Sequence, residues 1–127
     1  MFKRIDHVEL VPTDVERTIN FYIDILGFTL TERIPVNMPP LLEVVYLRLG
    51  DTMVEFLSVS NPSPWEKKLE QVGYHGLALE VDDMEQTIAD LQAKGVAITW
   101  GPVDLGNAKR AEIRDPDGLV IELRQWQ

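Results

Sequence analysis

The chain has 127 residues, 45% of them hydrophobic and 8% aromatic, which suits one soluble globular unit with a buried core. Twenty-one acidic residues against twelve basic ones give a net charge of −9, which repels nucleic-acid phosphates and anionic lipid and argues against both as partners. Cysteine is absent, excluding disulfides, thiolate metal sites and cysteine nucleophiles, and no apolar run suggests a membrane span or secretory signal, so a cytoplasmic protein is expected.

The first strand is expected over Ile5 to Val11, with Val8 and Leu10 on one side and His7, Glu9 and Val11 on the other. Thr13 and Glu16 have the spacing of a capping box, opening a helix that presents Val15, Ile19, Tyr22 and Leu26 on one face and stops at Gly27. A strand over Phe28 to Glu32 follows. The stretch Ile34 to Glu43, IPVNMPPLLE, carries three prolines, so no regular element is expected there; its apolar residues suggest a lid over a pocket or a strip of subunit contact. Strands over Val44 to Leu49 and Thr52 to Val59 complete a βαβββ order, the last placing Glu55 opposite Val54 and Phe56.

A connector over residues 61–73 offers Ser63, Pro64 and Glu66 as the start of a short helix whose buried side would be Trp65, Leu69 and Val72. The pattern then begins again. His75 opens a strand, Asp82 and Glu85 repeat the capping pair, Met84, Ile88 and Leu91 repeat the apolar stripe, and Gly95 repeats the stop. Strands are expected at Val96 to Trp100 and Lys109 to Arg114, separated by a loop GPVDLGN. The tight turn of DPDGLVIELR then leads into a strand with Leu119, Ile121 and Leu123 on one face and Val120, Glu122 and Arg124 on the other.

His7 and His75 lie 68 residues apart, Thr13 and Asp82 69, Gly27 and Gly95 68, Glu55 and Glu122 67. Four unlike features repeating at nearly one offset indicate an internal duplication. The expected fold is α+β: two tandem βαβββ modules, 1–60 and 74–127, forming curved mixed sheets around a cup within a single domain of residues 1–127. The helices take one face of each sheet and leave His7, Glu55, His75 and Glu122 on the other. Two imidazoles and two carboxylates suit a divalent ion such as nickel, cobalt, zinc or manganese, with open positions for substrate oxygens.

The motifs IDHVEL, FYIDILGF, LGDTMVEFL, HGLALEVDD and DPDGLVIEL together resemble the vicinal oxygen chelate superfamily, which includes glyoxalase I, methylmalonyl-CoA epimerase, bleomycin resistance proteins and extradiol dioxygenases. Carried over position by position, the resemblance implies His7, Glu55, His75 and Glu122 as the ligands of one divalent metal, with Glu122 or Glu55 as the base that moves a proton. It also implies a homodimer acting on a small molecule. A fourth protein ligand favours a glyoxalase I-type lyase or isomerase over a dioxygenase; an epimerase and a non-catalytic resistance protein are the alternatives. Where glyoxalase I enzymes hold the glutathione carboxylates with arginine, asparagine and lysine, this chain has Val11, Val59 and Asp104, so strict glutathione dependence is not expected. Arg124, sharing a strand face with Glu122, is the first candidate for an anionic substrate group, with Arg48 and the rim residue Trp100 beside it; a salt bridge to Glu9 is the structural alternative for Arg124. Trp65 and Trp126 are expected in the core or at an interface.

Overall fold

The computed structural model describes residues 1–66 and 68–127. It divides into two compact units, Met1–Pro64 and Trp65–Gln127, so that the boundary falls inside the expected connector. In the first unit β1 (Val8–Leu10) leads to α1 (Val15–Asn20), which continues as a wider π turn over Phe21–Ile25, and then to β2 (Thr29–Met38), β3 (Leu41–Leu49) and β4 (Thr52–Val59). In the second, β5 (Leu77–Glu80) and α2 (Met84–Ala93) precede β6 (Trp100–Asp104), β7 (Ala108–Arg114) and β8 (Val120–Trp126). Each unit makes one four-stranded mixed sheet, ordered β1-β4-β3-β2 and β5-β8-β7-β6, whose only parallel pair joins its first and last strands. The duplication read from the sequence is therefore present as two tandem βαβββ modules. No helix is long and apolar enough to cross a membrane among the described residues.

Period-two alternation sorts each sheet into a packed face and an open one. In the first unit Val45, Leu47, Val54 and Phe56 are buried with Ile19, Tyr22 and Phe28; the Tyr22 ring lies edge-on, 5.0 Å from Phe56 and 5.5 Å from Phe28 between centroids. In the second, Ala111, Ile113, Ile121 and Leu123 are buried with Met84 and Leu91. The turn before β8 is organised by Asp115, itself buried, which accepts hydrogen bonds from the Asp117 and Leu119 amides while Gly118 takes φ +80°.

Four sequence expectations are corrected. The proline-rich stretch is a hairpin: β2 continues through Pro35 to Met38, Pro39 and Pro40 make the turn, and β3 begins at Leu41. Proline is tolerated because β2 is an edge strand, where only one side of the backbone must pair. The expected strand at Val96 to Trp100 lies further on, as β6, and its edge position likewise tolerates Pro102. The connector helix does not form among the described residues; Trp65, Leu69 and Val72 are exposed, and a segment this short cannot offset the cost of nucleating a helix without burying a face. Finally, each helix cap lies one residue later than expected. Asp14 accepts from the Arg17 amide and Asp83 from the Gln86 amide, each satisfying a first-turn donor.

Candidate functional site

On the open face of the first unit the sheet register aligns one row of polar side chains. Glu9 on β1 pairs with Glu55 on β4, which pairs with Tyr46 on β3. His7, two residues before Glu9, lies just ahead of β1 and brings its Nε2 to 2.8 Å from Glu55 Oε2 and 3.7 Å from Glu9 Oε1. Its other ring nitrogen, Nδ1, lies 2.8 Å from Asp6 Oδ2. That hydrogen bond raises the imidazole pKa against the opposing effect of burial, with the charge of Glu55 adding to the rise. Glu55 is 6% exposed, an unusual place for a carboxylate, and it and the imidazole are each other's close partners. Tyr46 sets its ring edge-on to His7, 6.0 Å between centroids, and burial together with the charge of Glu55 pushes its phenol up, so it stays protonated.

The ligand atoms of His7, Glu9 and Glu55 all lie within 4.8 Å of one another, a spacing that fits a divalent cation. The donor set, one imidazole nitrogen and carboxylate oxygens, suits nickel, cobalt, zinc or manganese. Glu9 was not among the residues singled out from the sequence as ligands. Its signal was its place on the same strand face as His7.

The open face of the second unit is built differently. Glu122 takes the place of Glu55, but its neighbours are guanidinium groups: Arg110 Nε lies 2.5 Å from Oε1 and Arg124 Nε 2.9 Å from Oε2. Arg110 also reaches Glu112 at 2.8 Å. Burial pushes the Glu122 carboxyl up, but the hydrogen bond and charge of Arg110, then those of Arg124, outweigh it and leave the group below the ordinary glutamate range. Each guanidinium lies over an indole, Arg110 over Trp100 and Arg124 over Trp126, both at 4.9 Å from the ring centroid. Trp126 is 55% exposed rather than core, and Arg124 is committed to Glu122. Arg48 is exposed on β3, where its charge helps to lower the Asp6 carboxyl after the larger effect of His7.

The equivalence of the two histidines is corrected. Glu9 pairs with Glu55 and Ala78 pairs with Glu122, so Glu9 and Ala78 are equivalent, and two residues before them stand His7 and Gly76. The helix caps agree, because Asp14 and Asp83 follow His7 and Gly76 by the same seven residues. His75 is one residue out of register, exposed, and without a hydrogen bond in its own unit among the described residues. A one-residue shift along an extended chain turns a side chain to the opposite side. The place itself is tight: a Cβ on Gly76 would lie 3.0 Å from the Val120 carbonyl oxygen and 3.2 Å from its Cβ, so Val120 would have to give by a few tenths of an ångström.

Of the positions where glutathione contacts were missing, Asp104 has a structural use. It accepts hydrogen bonds from the Gly106 amide and Gln127 Nε2, in that order the main causes of its lowered pKa. Val11 is half exposed and Val59 ends β4.

Residues 4–123 match the glyoxalase/bleomycin resistance protein/dioxygenase superfamily. The chain belongs to this superfamily. Among its relatives are a probable lactoylglutathione lyase of Vibrio cholerae, 30% identical over 96% of this chain and 90% of its own, and the mitochondrial methylmalonyl-CoA epimerase of Homo sapiens, 29% identical over 96% and 73%. The crystal structure of a glyoxalase family protein from Enterococcus faecalis superposes with a TM-score of 0.81 at 28% identity, covering 97% of this chain and 98% of that one. The superfamily thus spans a lyase and an epimerase on one fold, and the paired βαβββ modules found here are that fold.

Proposed function

We propose that this superfamily member is a metal-dependent isomerase or lyase of glyoxalase type, acting on a small substrate with adjacent oxygens by removing a proton next to a carbonyl to give an enediolate. The observation that carries this reading is the His7–Glu55 pair: an imidazole fixed by Asp6 through Nδ1 and aimed through Nε2 at an almost wholly buried carboxylate. When bound, a divalent ion supplies Lewis-acid stabilisation of the negative charge that develops as the carbon acid ionises. Glu55 is the base in this reading and takes the proton on a carboxylate oxygen. Glu122, the other candidate, is held ionised by two guanidiniums, which lowers its basicity. In the second unit, Arg124 and Arg110, steadied on their indoles with Trp100 under Arg110, are the candidates for holding an anionic group, in competition with their pairing to Glu122.

The test is thermal melting of the full chain with nickel, cobalt, zinc or manganese, followed by chelation. A ligand at a hundredfold excess over its dissociation constant stabilises by about 2.7 kcal/mol, a readily measured rise. A melting temperature indifferent to every ion and to chelator overturns the reading. It would leave a non-catalytic binding protein of the bleomycin-resistance kind, which Gly76 in the place of a second imidazole favours. Weak or absent turnover of the glutathione adduct of methylglyoxal is expected, since Val11 and Val59 offer no charge and Asp104 offers the wrong one. The rise of thioester absorbance measures it; efficient turnover would assign glutathione to other residues. A homodimer is also proposed, with the exposed Met38 and Leu42 of the β2–β3 hairpin in the contact, and sedimentation at micromolar concentration decides it.

A further inference from the structure

We infer that Glu9 is a protein ligand of the divalent ion, so that three of its ligands, His7, Glu9 and Glu55, come from the first unit and His75 supplies none. This rests on the metal-dependent reading above and sharpens it.

Geometry is the first support. Protein ligands about 2.1 Å from an ion stand roughly 3 Å apart at right angles and about 4.2 Å apart across it. Of the separations of His7 Nε2, the 3.7 Å to Glu9 falls in that range and the 2.8 Å to Glu55 just below it, and all three ligand atoms lie within 4.8 Å. The arrangement is fixed by the fold. Parallel pairing sets Glu9 directly against Glu55, and the two-residue period brings His7 to the same side as Glu9.

Charge is the second. Asp6, Glu9 and Glu55 surround a single imidazole, so even a protonated His7 leaves an excess of negative charge on this face. Arg4, 3.9 Å from Asp6, and the more distant charge of Arg48 both act on Asp6, whereas among the described residues no guanidinium or ammonium pairs with Glu9 or Glu55, which face the imidazole. The equivalent row of the second unit carries no such excess. Its two carboxylates, Glu112 and Glu122, are matched by Arg110 and Arg124, and Ala78 stands where Glu9 would be. A cation is called for in the first unit and is already supplied by side chains in the second.

Register is the third. With Gly76 in the place equivalent to His7, and a side chain there obstructed by Val120, the second unit has no imidazole to offer in register. Glu9 replaces a neutral nitrogen donor by an anionic oxygen, which shifts preference toward harder ions such as manganese relative to a set with two imidazoles.

The experiment is calorimetric titration of the full chain with nickel and with cobalt, together with the visible absorption of the cobalt form, for the wild type, Glu9→Gln and His75→Ala. Glu9 is more than half exposed, so Glu9→Gln should fold normally, and its melting temperature without metal checks that. Expected are a loss of affinity in Glu9→Gln of at least about tenfold, the loss that even an indirect partner of a metal ligand causes, with displaced cobalt bands. His75→Ala should bind within about twofold of wild type, each factor being read directly from the dissociation constants. Wild-type affinity in Glu9→Gln overturns the inference, as does weaker binding with unmoved cobalt bands, which would make Glu9 a distant charge. So does an affinity loss in His75→Ala comparable to that in Glu9→Gln. In each of these cases the metal-dependent reading survives; if the wild type retains no ion, both fall together.

Discussion

The two units share a topology, a helix cap and a packed face, yet their open faces have diverged at almost every position. Across the row that includes Glu55, the first unit reads Glu9, Glu55, Tyr46, Glu32; across the row that includes Glu122, the second reads Ala78, Glu122, Glu112, Trp100. Only the central glutamate is kept. In the first unit it is buried beside an imidazole among other acids, and in the second it is half-buried between two guanidiniums. A duplicated fold is held by its apolar faces, where each side chain must match its neighbours, and the open face is free to change because little stability depends on it. One carboxylate thus has two settings: the partner of an imidazole in one unit and the hub of an ion-pair cluster with two guanidiniums in the other.

If the packed faces are the conserved half of this comparison, cutting either should be costly. Phe56→Ala and Leu123→Ala are each expected to lose about 2 to 5 kcal/mol in denaturant unfolding, since both side chains are 2% exposed or less. A loss under about 1 kcal/mol in one of them would show that one unit's core is looser and that the likeness stops at topology.

A smaller effect tests the register. Gly76→Ala should destabilise by about 1 to 3 kcal/mol, because the new Cβ meets the Val120 backbone at a distance requiring a shift. An unchanged melting temperature would mean that the second unit can accept a side chain in the place of His7, and the contrast between the faces would then rest on sequence choice rather than on space.

The smallest effect concerns the first unit's outer clasp. Arg33 reaches both Glu16 and Glu43 at 2.6 Å, tying the start of α1 to the β2–β3 hairpin. The hydrogen bond from Arg33, then its charge, hold the Glu16 carboxyl below the ordinary glutamate range. A lowered folded-state pKa contributes stability above the unfolded value, near pH 4, and loses it as pH falls through the folded value. The stability gap between wild type and Glu16→Gln should therefore be present at pH 7, stay well under about 1 kcal/mol because the pair is exposed, and close in acid. A gap that persists at pH 2 would assign it to packing.

Alternation, caps and the repeat determined the two βαβββ modules and which side chains form the packed faces, because strand and helix periods are local properties of the backbone. They also placed Glu55 and Glu122 on open faces and His7 near Glu55. What they could not settle were features fixed by neighbours distant in sequence. Pro35 and Pro102 read as breakers until the sheet order made β2 and β6 edges, where the missing amide goes unnoticed. Arg110 became a partner of Glu122 only through the β7–β8 pairing. The second histidine shows the limit most clearly. Its offset of 68 differs by one from the 69 that relates the two caps, a discrepancy too small to weigh in a list of repeats. Only the pairing of Ala78 with Glu122 gives that single residue its meaning, because in an extended chain one step is the whole difference between the two faces.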